Sequence, residues 1–453
     1  MRCIIHIGMH KTGSTSIQNS LHGFSDDRFL YAHLGDSPNH SLAIYSLFAE
    51  SPERHHLHKA KGRDGSAVQN YVEKMRIDLE QAISTAHGRT LLISGEDISL
   101  LQQKGLDKLR HHFSGHFDEL LICGYVRPPA GFIASGFQQR VKEGKVDRVS
   151  PGQVYRHYEK TFRKFDEIFG RENVHLWKFE PKSFPGGCAV QDFCARLDIS
   201  FPVERVIRAN ESLSRQAVSL LYTYDRFRQK LGYRGMTGGE SHQLVATLGD
   251  IQHDKFRFFS DIVRPVLETN RADIQWMEER LGQSLHEELG AYRPGDVRDE
   301  ADLLQPDPEV VKKLLALLGD AAPAGIKGET PEEVAVLVHA LRENRNNQVG
   351  TLIEQIQKTN PIHALREVRI SQVGVLIEQI RKTNPKLLED IPGDKAAALI
   401  RKVFKQMNQT LAMTEEGVVK FVGLGQFRVR KVEKELEGKK VTRTQIVFTR
   451  SEQ

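Results

Sequence analysis

The chain has 453 residues, of which 39% are hydrophobic and 27% are charged, and its net charge is +5. This length allows two or three domains, each with its own core. No apolar run reaches the roughly 18 residues typical of a membrane span, and the N-terminal residues lack the features of a secretory signal, which argues against a membrane anchor or a membrane partner. The four cysteines show no paired spacing typical of a metal site, so we expect reduced thiols in a soluble, cytoplasmic protein.

The first predicted element is a buried strand that leads into a glycine-bounded loop and a helix. Residues 3–7 form a largely β-branched apolar run, which is typical of a strand buried on both faces. Gly8 and Gly13 enclose four residues, the spacing of a Walker A loop, whose backbone N–H groups cradle phosphates. A Walker A loop carries Lys directly after its second glycine, whereas here Ser14 holds that position and Lys11 lies inside the loop. This arrangement suits a single 5′-phosphate extended by a sulfuryl group better than a Mg²⁺-bound triphosphate.

Two later apolar runs predict parallel strands that end in polar residues. Residues 90–94 are followed by Glu96. Residues 120–126 are followed by Arg127, and Ser135 lies eight residues beyond that arginine on a predicted helix. In open α/β sheets ligands bind beyond the carboxyl ends of the strands, so Glu96 and Arg127 are expected on the same rim as the glycine-bounded loop. A guanidinium suits phosphate because its planar fork can donate two parallel hydrogen bonds.

Together these segments resemble the bacterial sulfotransferases that use 3′-phosphoadenosine-5′-phosphosulfate (PAPS), over roughly residues 1–290. In that family a Lys-Thr-Gly-[Ser/Thr]-Thr stretch binds the 5′-phosphosulfate, and residues 11–15 match it position by position. An Arg at a strand end and a Ser on the next helix hold the 3′-phosphate, which implies that role for Arg127 and Ser135. The resemblance implies an α/β fold, a P-loop-NTPase-like three-layer sandwich around a central parallel sheet, with PAPS as co-substrate and no metal. The implied nucleotide-binding residues are Lys11, Thr12, Gly13, Ser14, Thr15, Ser16, Arg127 and Ser135.

The resemblance also implies a mechanism, an in-line displacement at sulfur. Lys11 would neutralise the charge that develops on the oxygen between sulfur and the 5′-phosphate, while the N–H groups of residues 12–16 hold the phosphate. A base must take the proton of the attacking hydroxyl. Related chains show a Ser-x-Glu where Glu96 lies and often a His where His40 lies, so Glu96 is the first candidate base and His40 the second. The acceptor stays open, since a carbohydrate, a lipid or a small molecule could supply the hydroxyl or amine.

Residues 291–345 are predicted to form a polar linker that contains two helices. Asp307 with Pro308 marks the start of one helix, because proline is favoured in the first turn. Thr330 and Glu333 have the spacing of a capping box at the start of the other. We therefore expect three parts in the chain, with boundaries after residues 290 and 345.

The C-terminal segment, residues 346–453, begins with an internal repeat in which residues 348–361 recur 24 positions later. A helix over 394–411, a strand at 418–421 and a Gly-x-Gly-x-Phe turn into a basic strand are predicted after the repeat. This order resembles the HU/IHF family of histone-like DNA-bending proteins, over roughly residues 370–450. The resemblance implies a small α+β domain.

Charge is concentrated in that segment. Residues 346–453 contain 19 Lys+Arg and 12 Asp+Glu, a net charge of +7, whereas residues 1–345 have a net charge of −2. Basic faces attract phosphate backbones. HU-type arms are long and wedge an Asn-Pro tip into the minor groove, but residues 433–445 form a short segment that contains no Pro, so strong bending is not expected. HU-like folds are intertwined dimers, so homodimerisation and DNA binding both stay open.

Two other functions fit parts of the chain. A kinase or nucleotide hydrolase would fit a P-loop fold, but Ser14 in the lysine position and the lack of a clear Walker B strand argue against it. A non-catalytic, DNA-associated protein that has kept a nucleotide-binding fold would fit the basic segment. The intact Lys11, Arg127 and Ser135 argue against that alternative, because a dead site has no need of them.

Overall fold

We describe the protein from a computed structural model. The described residues are 1–146, 148–208, 212–235, 244–245, 247–248, 254–344, 417–421, 425–436 and 439–449. The internal repeat at 348–385, the predicted helix at 394–411 and the first part of the Gly-x-Gly-x-Phe turn lie outside the described residues.

The first part of the chain alternates strands and helices. Its strands are β1 (Arg2–His6), β2 (Phe29–Tyr31), β3 (Thr90–Ser94), β4 (Glu119–Val126) and β5 (Val174–Lys178). Its helices are α1 (Ser14–Leu21), α2 (Ser41–Phe48), α3 (His56–Ala60), α4 (Gly65–Ala86), α5 (Gln103–Ser114), α6 (Pro129–Lys142), α7 (Tyr158–Phe169), α8 (Ala189–Arg196), α9 (Arg215–Arg228), α10 (Ser260–Thr269), α11 (Arg271–Leu281), α12 (Glu300–Leu304), α13 (Pro308–Leu318) and α14 (331–344). A short 3-10 helix, Glu96–Leu100, follows β3. Among these described helices, none is long and apolar enough to cross a membrane.

The five strands form one parallel sheet in the order β2-β3-β1-β4-β5. In its register, His6 of β1 lies opposite Ser94 of β3 and Cys123 of β4. Parallel strands end at a common edge, so the segments that follow β1, β3 and β4 come together at one rim of the sheet. The predicted α/β class is confirmed, as are the strands predicted at 90–94 and 120–126.

Helices cover both faces of this sheet. Successive strand residues point to opposite faces, and both Ile4 and Ile5 of β1 are almost fully buried. Ile5 belongs to a core formed with α2, α4, α5 and α7, whereas Ile4 belongs to a core formed with α1 and α8. Burial on both faces explains why the strand sequences are continuously apolar. All four cysteines are buried free thiols, namely Cys3, Cys123, Cys188 and Cys194.

The chain forms two compact units, one of residues 1–316 with 325–338 and the other of residues 317–324 with 339–453. In the first unit, part of the segment predicted as a linker packs on α9. The Tyr222 hydroxyl donates to the Glu300 carboxylate over 2.9 Å, and the Thr223 hydroxyl donates to the backbone oxygen of Leu303 over 3.3 Å. Residues 300–304 are thus part of the first unit's packing, while the three-part division of the chain stays a prediction.

Both helix starts predicted in this segment are confirmed. The Glu309 N–H donates to the Asp307 carboxylate over 2.9 Å at the start of α13. The Glu333 N–H donates to the Thr330 hydroxyl over 3.2 Å at the start of α14. Each side chain satisfies an N–H group that the first helical turn leaves without an intrahelical partner.

The described residues after 416 form an antiparallel sheet of β6 (Gly417–Phe421), β7 (Gly425–Leu436) and β8 (Lys439–Thr449), in that order. The strand predicted at 418–421 is confirmed. β7 and β8 pair from Gln426 opposite Thr449 to Leu436 opposite Lys439. Residues 433–445, expected to form only a short segment, thus contribute residues 433–436 and 439–445 to a longer pair of strands.

Candidate active site

The loop between β1 and α1 contains three residues with left-handed backbone, Gly8 (φ +84°), Lys11 (φ +66°) and Gly13 (φ +79°). Gly8 is required for a second reason, because a Cβ there would lie 2.8 Å from the Cβ of Glu96. Left-handed φ values are uncommon outside glycine, and such residues concentrate at functional sites. The chain therefore holds Lys11 in an unfavourable conformation within a loop that contacts the end of β3.

The loop presents backbone donors that the protein itself does not use. The N–H groups of Lys11 and Gly13 donate no hydrogen bond to a described residue. Loops with interspersed left-handed residues form concave anion sites, and the N-terminus of α1 adds its helix dipole. The hydroxyls of Thr12 and Ser14 instead donate to the backbone oxygen of Met9. Those two side chains fix the loop, whereas its backbone is available to bind an anion.

The Lys11 side chain crosses to α6, where its Nζ donates to the Gln139 amide oxygen over 3.2 Å. Burial, together with the nearby charges of Lys142 and Arg127, lowers the pKa of Lys11 from 10.5 to about 8. The ammonium is thus destabilised in the free protein. An anion placed beside it would reverse that effect, because an opposite charge favours the protonated form.

Arg127 follows β4 directly and joins the loop from the other side. Its Nη1 donates to the backbone oxygen of Lys11 over 2.5 Å, and its guanidinium lies 5.5 Å from the centre of the Phe179 ring. The Tyr158 hydroxyl donates to the backbone oxygen of Arg127 over 2.7 Å. Arg127 therefore lies on the same rim as the glycine-bounded loop and contacts it directly.

One face of α6 lines this region. Gly131, Ser135 and Gln139 recur at intervals of four residues, which places them above one another on a helix. A Cβ on Gly131 would lie 3.4 Å from Nε of Arg127, so the guanidinium lies against this face. Ser135 is one turn further on and only 9% exposed. Helix geometry thus brings Arg127, Ser135 and Gln139, to which Lys11 donates, to one surface.

Glu96 begins the 3-10 helix after β3 and is half-buried beside the loop. The amides of Gln18 and Asn39 donate to the same carboxylate oxygen, Oε2, over 2.8 and 3.2 Å. Its other oxygen, Oε1, accepts no hydrogen bond from the described residues. The structure therefore places at the rim a carboxylate with one oxygen available to a ligand.

His40 lies near the same strand end but is completely buried. Its Nδ1 accepts a hydrogen bond from the Ser94 N–H over 3.1 Å, and its ring centre lies 4.7 Å from that of Tyr31. Burial lowers the pKa of His40 from 6.5 to about 3, so the imidazole is neutral. The structure brings His40 close to the end of β3 without exposing it at the rim.

No family model, curated protein or solved structure matches the chain. The chemistry of this site has to be inferred from its own residues.

Three rim residues were absent from the predicted site. His10 Nε2 lies 2.9 Å from Asp97 Oδ1, and Arg156 Nη1 lies 2.5 Å from His10 Nδ1. A guanidinium can only donate, so Nδ1 accepts and the imidazole proton is on Nε2, facing Asp97. The only sequence signals for His10 and Asp97 are their positions next to Lys11 and Glu96, and Arg156 has no signal at all. Together they place an oriented imidazole and a third cationic side chain, after Lys11 and Arg127, beside the loop.

Asp97 holds a second histidine on its other oxygen. His55 Nε2 lies 3.1 Å from Asp97 Oδ2, while its Nδ1 accepts the Leu57 N–H. Burial opposes the ionisation of Asp97, but the hydrogen bonds from His10 and His55 outweigh it and hold the pKa of its carboxyl well below the usual range. His55, His56 and Asp97 form a group whose potential ligand atoms lie within 4.8 Å of one another. A metal there would have to displace the Nε2 proton of His55, so the observed arrangement is a hydrogen-bonded chain.

Proposed function

We propose that the protein is a PAPS-dependent sulfotransferase with a P-loop-like α/β domain, and that it transfers a sulfuryl group to a hydroxyl or amine of an acceptor. One observation carries this proposal. The loop that holds Lys11 has unused N–H donors and is joined by Arg127. Two cationic residues and a set of backbone donors thus surround one rim, as a nucleotide with phosphate groups at both its 5′ and 3′ positions requires.

The 5′-phosphosulfate fits the loop. The N–H groups of residues 11–13 and the start of α1 would hold the phosphate. Lys11 would leave Gln139 and contact the oxygen that bridges phosphorus and sulfur, where negative charge develops during transfer. Thr15 and Ser16 lie in the first turn of α1 and are half-buried, and their hydroxyls would add hydrogen bonds to the phosphate.

The 3′-phosphate fits the face of α6. Arg127 and Ser135 flank Gly131, and a side chain at Gly131 would fill the space beside the guanidinium. A planar guanidinium together with a hydroxyl one helical turn away can hold a phosphate by charge-assisted hydrogen bonds. This space supports the assignment of Arg127 and Ser135 to the 3′-phosphate.

The transfer step follows from these positions. The acceptor oxygen attacks sulfur in line with the bridging oxygen, a new S–O bond forms, and the old S–O bond breaks with its electron pair remaining on the nucleotide. Glu96 takes the acceptor proton on its available oxygen. The products are a sulfated acceptor and 3′,5′-adenosine bisphosphate. Glu96 is a better candidate base than His40, because His40 is completely buried.

For the second unit we propose a homodimerisation or DNA-binding module. Its net charge of +7 over residues 346–453 supports a role near phosphate backbones. Its antiparallel strands β6, β7 and β8 are compatible with an HU-like sheet and arm. A cytoplasmic location is part of the same proposal.

Isothermal titration with 3′,5′-adenosine bisphosphate and with Mg-ATP tests the enzymatic proposal. We expect the bisphosphate to bind in preference to Mg-ATP. Lys11→Ala and Arg127→Ala should each weaken it by about 10- to 100-fold, the value of a lost charged hydrogen bond. Lys74→Ala and Arg76→Ala are matched controls, because both side chains are exposed on α4. Preference for Mg-ATP would favour a kinase or hydrolase instead.

A further inference from the structure

A carboxylate from a distant part of the chain lies at the start of α6. Glu287, six residues after the end of α11, accepts hydrogen bonds from the N–H of Ala130 over 2.7 Å and of Gly131 over 3.0 and 3.1 Å. The first turn of α6 contains no acidic residue of its own. Glu287 is therefore the anion that satisfies this helix N-terminus, where negative charge is favoured.

The same carboxylate lies close to Arg127. A Cβ on Gly131 would lie 2.9 Å from Glu287 Oε1 and 3.4 Å from Arg127 Nε, so both groups approach one α carbon. Burial raises the pKa of Glu287, while the two N–H donors and Arg127 oppose that rise. No ion pair within 4.0 Å joins the two side chains, so the space between them is not closed by a direct contact.

We infer that Glu287 holds the position of the donor's 3′-phosphate in the free protein and must leave it when the nucleotide binds. This inference rests on the proposed function. A phosphate held by Arg127 and Ser135 would lie over Gly131, against the Glu287 carboxylate. Two anions at that position repel each other, which weakens binding of the nucleotide. Glu287 therefore makes binding of the 3′-phosphate conditional on movement of its own segment, residues 282–290.

The test removes the negative charge of Glu287 and keeps the shape of its side chain. Glu287→Gln keeps one oxygen to accept the N–H groups of Ala130 and Gly131, so the cap is retained. By isothermal titration, we expect the variant to bind 3′,5′-adenosine bisphosphate about 10-fold more tightly than the wild type. Its affinity for AMP, which lacks the 3′-phosphate, should be unchanged. Glu288→Gln is the matched control, since that neighbouring side chain is exposed, and it should change neither affinity.

A second measurement uses the wild-type protein and does not depend on the folding of a variant. Hydrogen exchange of residues 282–290 should become faster when 3′,5′-adenosine bisphosphate binds and should stay unchanged with AMP. Equal or weaker bisphosphate binding by Glu287→Gln, an equal gain for AMP, or slower exchange in that segment would overturn the inference and leave the proposed function standing. Absence of binding of the bisphosphate to wild type and variants alike would overturn both.

Discussion

Lys11 is a partly buried charge that destabilises the free protein, so its removal should stabilise the fold. Lowering its pKa from 10.5 to about 8 corresponds to about 3 kcal/mol at 1.36 kcal/mol per pH unit. Its side chain keeps partial exposure, and solvent screening reduces the expected gain to about 1–2 kcal/mol. Lys11→Met keeps the length of the side chain and the backbone conformation while removing the charge. We expect its free energy of unfolding at pH 7 to exceed that of the wild type by that amount.

The pH dependence gives this prediction its sign. Between about pH 8 and 10.5 the unfolded chain keeps the Lys11 proton while the folded protein has lost it, so the stability of the wild type rises with pH. The difference in free energy of unfolding between Lys11→Met and the wild type should therefore be largest below pH 8 and vanish by pH 10.5. Urea unfolding followed by tryptophan fluorescence reports on the first unit, because Trp177 and Trp276 both belong to it.

An exposed lysine on the same unit provides the control for this stability measurement. Lys74→Met changes an exposed lysine on α4 and should leave stability within about 0.5 kcal/mol of the wild type. If Lys11→Met is less stable than the wild type, or if its advantage does not depend on pH, then Lys11 is not a destabilised charge and the reasoning fails.

Three further predictions concern the rim. Gly8→Ala should lower the free energy of unfolding by more than about 1 kcal/mol beyond Gly23→Ala, since both have positive φ but only Gly8 contacts Glu96; equal losses in urea unfolding would refute the contact. Asp97→Asn should lower the free energy of unfolding by about 2 kcal/mol in the same assay, because the NH2 group of the new amide would face an imidazole N–H. An unchanged urea midpoint would contradict the placement of the imidazole protons of His10 and His55 on Nε2. Glu96→Gln should slow release of 3′,5′-adenosine bisphosphate from PAPS with alcohol acceptors about 100-fold or more, with unchanged affinity for that product; an unaffected rate would remove Glu96 as the base.

Local sequence patterns predicted the elements that depend on neighbouring residues. The apolar run at 90–94 became β3 with the same bounds, and Asp307 and Thr330 cap the helices that they were expected to start. Burial on both faces and capping leave signals within a few residues, which explains this agreement.

Contacts between distant residues were beyond such patterns. His10 and Asp97 are 87 residues apart and meet because β1 and β3 are neighbours in the sheet. Glu287 reaches Gly131 across 156 residues from a segment with no regular pattern. The burial of His40 follows from packing against Tyr31, and a single histidine gives no sign of that in the sequence.

A crystal structure of the protein with 3′,5′-adenosine bisphosphate would show whether the rim binds this nucleotide. We expect the 5′-phosphate on the N–H groups of residues 11–13, beside Lys11, and the 3′-phosphate between Arg127 and Ser135, with Glu287 displaced. A nucleotide bound away from this rim, or one with its adenosine phosphates in contact with neither Lys11 nor Arg127, would contradict this expectation.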